Sequence, residues 1–170
     1  MQDVAFYRRL YAYNYRVLDG YLRRMSRMSW KDLSKNHGTG HLSMKDTMAH
    51  IIRVHDGWLN YVVQNRMKEF VKNRKRPQVY SSCKDLRRHL EDVWKGIDAL
   101  LAGLADKDLG RIVKAPWMPG RYTLADALMQ ASLEQAHHIG ELIGVFWQMD
   151  APPPQMMWIP ILERKNVRVY

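Results

Sequence analysis

Apolar residues recur along this chain at three- and four-residue spacing, the mark of helices that bury one face. Phe6, Leu10, Tyr13, Val17, Tyr21 and Leu22 set that period over residues 4–28. A second stripe, Met44, Met48, Ile51, Trp58, Leu59 and Val62, predicts a helix over 43–66. It opens on Ser43-Met44-Lys45-Asp46, a hydroxyl able to cap the first turn with an acid three residues on. Ser82-Cys83-Lys84-Asp85 repeats the pattern and starts a third helix that ends near Gly103. Thr123-Leu124-Ala125-Asp126 opens a fourth, which reaches about Met149 and cannot continue through Pro152-Pro153-Pro154. The expected fold is all-α, a four-helix bundle.

The polar stretches set the connections. Gly38 and Gly40 mark a loop after the first helix, and a basic loop containing Pro77 follows the second. Residues 105–122 hold Gly110, Pro116, Pro119 and Gly120, too long a segment for a tight bundle turn. They predict a long crossover connection before the last helix, with a short extended piece at Arg111-Ile112-Val113. Met156, Trp158, Ile161 and Leu162 predict a tail over 155–170 that packs back onto the bundle. Nothing divides the chain, so 1–170 reads as one domain.

Composition narrows the class. No apolar run approaches the ~18–20 residues of a membrane span, and the first residues lack the basic and apolar regions of a signal peptide. A single cysteine, Cys83, excludes an internal disulfide, and a cytoplasmic setting is expected. Cys83 sits at a helix start, where the dipole lowers a thiol pKa, but it has no catalytic histidine near it in sequence and reads as inert. Lys and Arg number 27 against 17 Asp and Glu, a net charge of +10 that favours anionic partners. The densest cluster is Lys72-Asn73-Arg74-Lys75-Arg76. It supports an alternative reading, a non-catalytic basic helical protein binding nucleic acid, with a structural metal or none. No recognition motif accompanies it. A glycine-rich phosphate loop and a Gly-x-Ser-x-Gly elbow are both absent.

Candidate chemistry lies in the histidines. His50 and His55 fall on the second predicted helix, His137 and His138 on the fourth. Glu134, His138 and Glu141 share one edge of the fourth helix's apolar stripe, and Glu134 and His138, four apart, stand one above the other as two ligands of one ion must. A metal needs a further donor from another helix. His50 lies at the flank of the second stripe and His55 nearer its centre; periodicity leaves both open. Glu134-Gln135-Ala136-His137 is a Glu-x-x-His motif, but a di-metal carboxylate bundle needs two, and this chain has one.

Ser43-Met44-Lys45-Asp46-Thr47-Met48-Ala49-His50-Ile51, followed by Trp58-Leu59, resembles the second-helix signature of the DinB/YfiT-like metalloprotein superfamily. Thr123 through Leu142 and the Asp150-Ala151-Pro152-Pro153 ending resemble its fourth helix. The resemblance implies a DinB-like bundle holding one divalent transition metal, zinc or nickel, by one histidine of the second helix and two of the fourth. Carried over by position, these are His50, Glu134 and His138, with Glu134 standing where the family has histidine; Ile139 and Glu141 likewise replace its usual Arg and Gln. His50 is preferred to His55 by this register. Glu141, His137 and His55 are the candidates to brace the ligands: Glu141 by accepting an imidazole N–H, His137 from the exposed side, His55 from the core. The implied activity is a thiol-dependent S-transfer using a low-molecular-weight thiol, or a hydrolysis, on a small-molecule substrate. A homodimer is implied as well.

Overall fold

The computed structural model describes residues 3–73 and 79–159. Four long helices carry the fold: α1 (Val4–Met25), α3 (Met44–His55), α5 (Cys83–Gly103) and α6 (Leu124–Gln148). Around the bundle α1 meets α5, α5 meets α3, α3 meets α6, and α6 closes the ring on α1. Two short helices, α2 (Trp30–Ser34) and α4 (Met67–Asn73), lie in the connections.

The caps form as the sequence predicts. Ser43 Oγ accepts from the Asp46 amide at 3.1 Å, and Ser82 Oγ from that of Asp85 at 3.3 Å. At α6 the exchange is reciprocal: Thr123 Oγ1 accepts from the Asp126 amide, and the Asp126 carboxylate accepts from the Thr123 amide at 2.8 Å. Each exchange satisfies backbone donors that the first helical turn cannot.

The second predicted helix departs from expectation. After His55 it widens into π-type turns over Asp56–Val62, where the Val63 amide donates to the Trp58 carbonyl and that of Arg66 to Tyr61. The basic stretch expected as loop begins with α4 instead, its first turn braced by an Arg66–Glu69 ion pair. Residues 74–78, which hold Arg74, Lys75, Arg76 and Pro77, lie outside the described residues.

The crossover connection contains a 3-10 turn over Asp106–Gly110 and a small antiparallel ladder. There β1 (Ile112–Val113) pairs with β2 (Tyr122–Thr123), Ile112 opposite Thr123. Beyond α6 the described part of the tail folds back on α1. Pro154 is buried, its carbonyl accepts from the Tyr21 hydroxyl at 3.2 Å, and Trp158 meets the Tyr13 ring. Ile161, Leu162 and the charges of Glu163, Arg164 and Lys165 lie outside the described residues. No helix among the described residues is long and apolar enough to cross a membrane.

Tyr7, Tyr11, Leu18, Leu22, Met48, Ile52, Leu86, Leu90, Leu128 and Phe146 fill the core. A polar seam crosses it behind the site: Asn14 Nδ2 donates to Ser132 Oγ at 2.8 Å, and Gln135 Nε2 to the Asn14 carbonyl at 3.2 Å. Every buried polar group left without a partner costs stability, so such a seam fixes the register of α1 against α6.

Candidate metal centre

One edge of α6 supplies most of the donors. His138 is buried, with a side chain 9% exposed, between Glu134 one turn before and Glu141 one turn after. Its Nδ1 lies 2.9 Å from Glu141 Oε2. A carboxylate only accepts, so Nδ1 carries a proton, and Nε2 is the ring nitrogen turned away from Glu141. That nitrogen lies 3.5 Å from Glu134 Oε2, while the other Glu134 oxygen accepts from Gln130 Nε2 at 3.0 Å.

His50 comes from the flank of α3, half-buried, its ring edge-on to His138 at 4.6 Å between centroids. A third imidazole arrives from the loop before α3. His41 stacks on His50 at 3.8 Å and lies 4.9 Å from His138. One ligating nitrogen from each of His41, His50 and His138 lies within 4.8 Å of the others. A second cluster, His137, His138 and Glu141, meets the same criterion on the outer side of α6; these are the two such clusters among the described residues.

Burial keeps His50 and His41 neutral. Burial pushes His50 down to about 4, helped by the positive potentials of His41, His138 and Arg53, with Glu141 opposing. His41 is lowered for the same reasons, burial first and then His138. Burial works to raise the Glu141 carboxyl, but the hydrogen bond from His138 and the nearby His138, His137 and His41 rings overcome it and hold the group below its usual range. Imidazoles from three segments, one nitrogen of each within 4.8 Å of the others and with carboxylates at their margin, are a donor set that fits a divalent metal ion.

Among the residues expected from the sequence, His50 and His138 meet in one cluster. Glu134 sits beside His138 but does not complete a three-way cluster with His50. His55 is elsewhere, fully buried, with Nε2 2.7 Å from Gln135 Oε1 and its ring between Tyr11 and Trp94. His137 is exposed, its Nε2 3.8 Å from Glu141 Oε1. Cys83 belongs to neither cluster, and burial raises its thiol against the pull of Arg87.

His41 is the residue that sequence reasoning missed. Its loop turns on a bridge between Thr39 and Leu42, with Gly38 at φ +75° and Leu42 at φ +66°. Gly40 makes the approach possible, since a Cβ there would stand 3.1 Å from Glu141 Oε1. The one available signal was a histidine next to a glycine and two residues before a helix cap.

A cleft of about 290 Å³ opens in front of the cluster, with His50, Glu134, Arg53, Trp58, Phe70 and Trp117 on its walls.

A family model described as the DinB superfamily matches residues 14–142. A solved structure, a DinB-like protein from Bacillus cereus ATCC 10987, superposes with a TM-score of 0.67. The match covers 91% of this chain and 97% of that one at 18% sequence identity, a likeness that speaks to the fold. None of the curated proteins matches the sequence.

Proposed function

This chain belongs to the DinB superfamily, and from that premise we propose that it is a divalent-metal-dependent enzyme acting on a small molecule, with His41, His50 and His138 as ligands. The observation that carries the reading is the convergence of three imidazoles from a loop, α3 and α6 within 4.8 Å. One such ring on a bundle flank has no need of an ion; three with a nitrogen each inside 4.8 Å are an arrangement that a shared ion accounts for.

Each residue has a task that follows from its position. Glu141 orients His138 by accepting its Nδ1 proton, which directs Nε2 inward. His50 and His41 bring uncharged nitrogens because burial has already displaced their protons. Glu134 lines the cleft and lies beside His138 Nε2, placed to take the proton of an entering thiol or water. A zinc or nickel ion held there would lower the pKa of that thiol or water and supply the nucleophile at neutral pH. Within the cleft the nucleophile would displace a leaving group from the substrate's electrophilic atom, the departing group taking back the proton that Glu134 accepted: a thiol gives S-transfer and water gives hydrolysis.

Metal content of the purified protein tests the reading. About one zinc or nickel per chain is expected by elemental analysis. His138→Ala, His50→Ala and His41→Ala each remove one ligand and should each sharply reduce it. His137→Ala should leave occupancy unchanged, and Glu134→Gln should keep the ion while losing activity. Full occupancy in His138→Ala would refute the site.

A further inference from the structure

Two donor clusters meet at His138. The inner one joins it to His41 and His50, the outer one to His137 and Glu141. The proposed centre uses the inner cluster and gives His137 no part. Yet the outer members form a graded series from solvent to interior: the His137 side chain is 68% exposed, that of Glu141 22% and that of His138 9%. Contacts run along the series without a gap. His137 Nε2 lies 3.8 Å from Glu141 Oε1, and Glu141 Oε2 lies 2.9 Å from His138 Nδ1. The His137 and His138 rings stand edge-on at 4.7 Å between centroids, and the His138 and His50 rings at 4.6 Å.

Such a series answers a problem that burial creates. A chelated metal ion leaves its carrier one bond at a time, as each incoming donor replaces one of the carrier's own. The first incoming donor must therefore reach the ion while the carrier is still outside the protein. His138 is too buried to do so, and His41 and His50 are half-buried. His137 is exposed, and Glu141 stands one turn further on, the spacing at which two side chains of one helix meet a common ion. A working metal site needs an entry path as well as its ligands.

We propose that His137 and Glu141 are a capture point for a chelated divalent transition metal ion, which passes through His138 to His50 and His41. His137 Nε2 and Glu141 Oε1 replace the first carrier donors. His138, His50 and His41 then replace the remaining carrier donors and, last, the two capture bonds. The carrier leaves with its own donor groups, and the ion keeps its charge throughout. While Oε1 faces His137, Oε2 stays beside His138 Nδ1, so the ring keeps its orientation during transfer. The inference rests on the inner centre as the place where the ion comes to rest, and it adds the route by which the ion arrives. Occupancy at equilibrium belongs to the inner rings, so loss of His137 changes only the rate of loading.

Zinc uptake over time tests it. Metal-free protein is mixed with zinc held by EGTA or with zinc sulfate, portions are desalted at intervals, and bound zinc is counted by elemental analysis. His137→Ala should reach the wild type's final level from each source. From the EGTA complex it should do so about tenfold more slowly, because capture turns the later donor exchanges into intramolecular steps. From zinc sulfate, whose hydrated ion is small enough to enter the cleft directly, the two proteins should load alike. His137→Cys, which puts another zinc-binding donor at the exposed position, should restore the rate. Leu133→Ala, an exposed change one turn away that involves no donor, should leave the rate as it is. Equal loading of His137→Ala and wild type from EGTA would overturn the proposal and leave the metal centre standing. Equal slowing from both sources would also overturn it, since His137 would then act on the shape of the centre. A wild type that takes up no zinc from either source would end the metal reading, and this one with it.

Discussion

At the residue scale the two histidines of α3 show how burial separates roles that spacing leaves joined. His55 looks inward and is held by Gln135, while burial drives its pKa down to about 4 against that hydrogen bond. His50, at the flank, reaches His41 and His138. Periodicity could rank their burial but not their partners, since the partners lie on another helix and in a loop. His41 was illegible for a stronger reason: its place depends on two left-handed residues and a glycine's close approach, none of which a hydrophobic pattern encodes. His55 carries a pH signature. Above the ordinary histidine value of ~6.5 the ring is neutral folded or unfolded, so stability there is full. As pH falls toward 4 the unfolded chain takes up a proton that the folded core refuses, and stability drops by about 3 kcal/mol before levelling off. His50 and His41 are lowered too and act in the same direction. Urea unfolding at pH 7.0 and 4.5 should therefore show a smaller pH loss in His55→Gln than in the wild type; equal losses would contradict a buried neutral His55.

At the element scale, what could be read in advance was what local chemistry decides. Ser43, Ser82 and Thr123 start their helices because a hydroxyl followed by an acid at the third position satisfies the same orphan amides wherever it occurs. The helices α2 and α4 could not be read, being too short for their own propensity to hold them without tertiary contacts. The π-type turns were hidden because Trp58, Leu59 and Val62 suit an ordinary helix equally well. Their presence rotates Asn60 onto α5, where Nδ2 donates to the Val93 carbonyl at 3.1 Å, and leaves no room at Gly96, whose Cβ would fall 2.3 Å from Asn60 Oδ1. Gly96→Ala should therefore destabilise by about 1–3 kcal/mol through overpacking, although alanine is the better helix former. Gly103→Ala, in the last turn of α5 with nothing within 4 Å, should stabilise by about 0.5–1 kcal/mol. Thermal unfolding of the two variants checks the opposite signs, and shifts in the same direction would show that the Asn60 contact is not the reason for Gly96.

At the scale of the whole molecule, the bundle and its long crossover were legible because four apolar stripes and the three polar intervals between them allow few other arrangements. The meeting of loop, α3 and α6 at one point is a tertiary fact, and only the family register anticipated part of it. The outward face of α6 bears on assembly: exposed Leu133 and Trp147 flank Gly140 and Gly144, with exposed His137 beside them. We propose that a second copy of the chain covers it, in keeping with the homodimer expected from the sequence. Sedimentation velocity should give the mass of two chains and Trp147→Glu should give one; a monomeric wild type would end that proposal. The metal centre is the central claim, and anomalous diffraction from crystals grown with zinc addresses it most directly. The account predicts one strong peak at the zinc edge bound by His41, His50 and His138, with Glu134 within reach of it. A peak held only by His137 and Glu141, a peak at His55, or no peak on this face of α6 would contradict it.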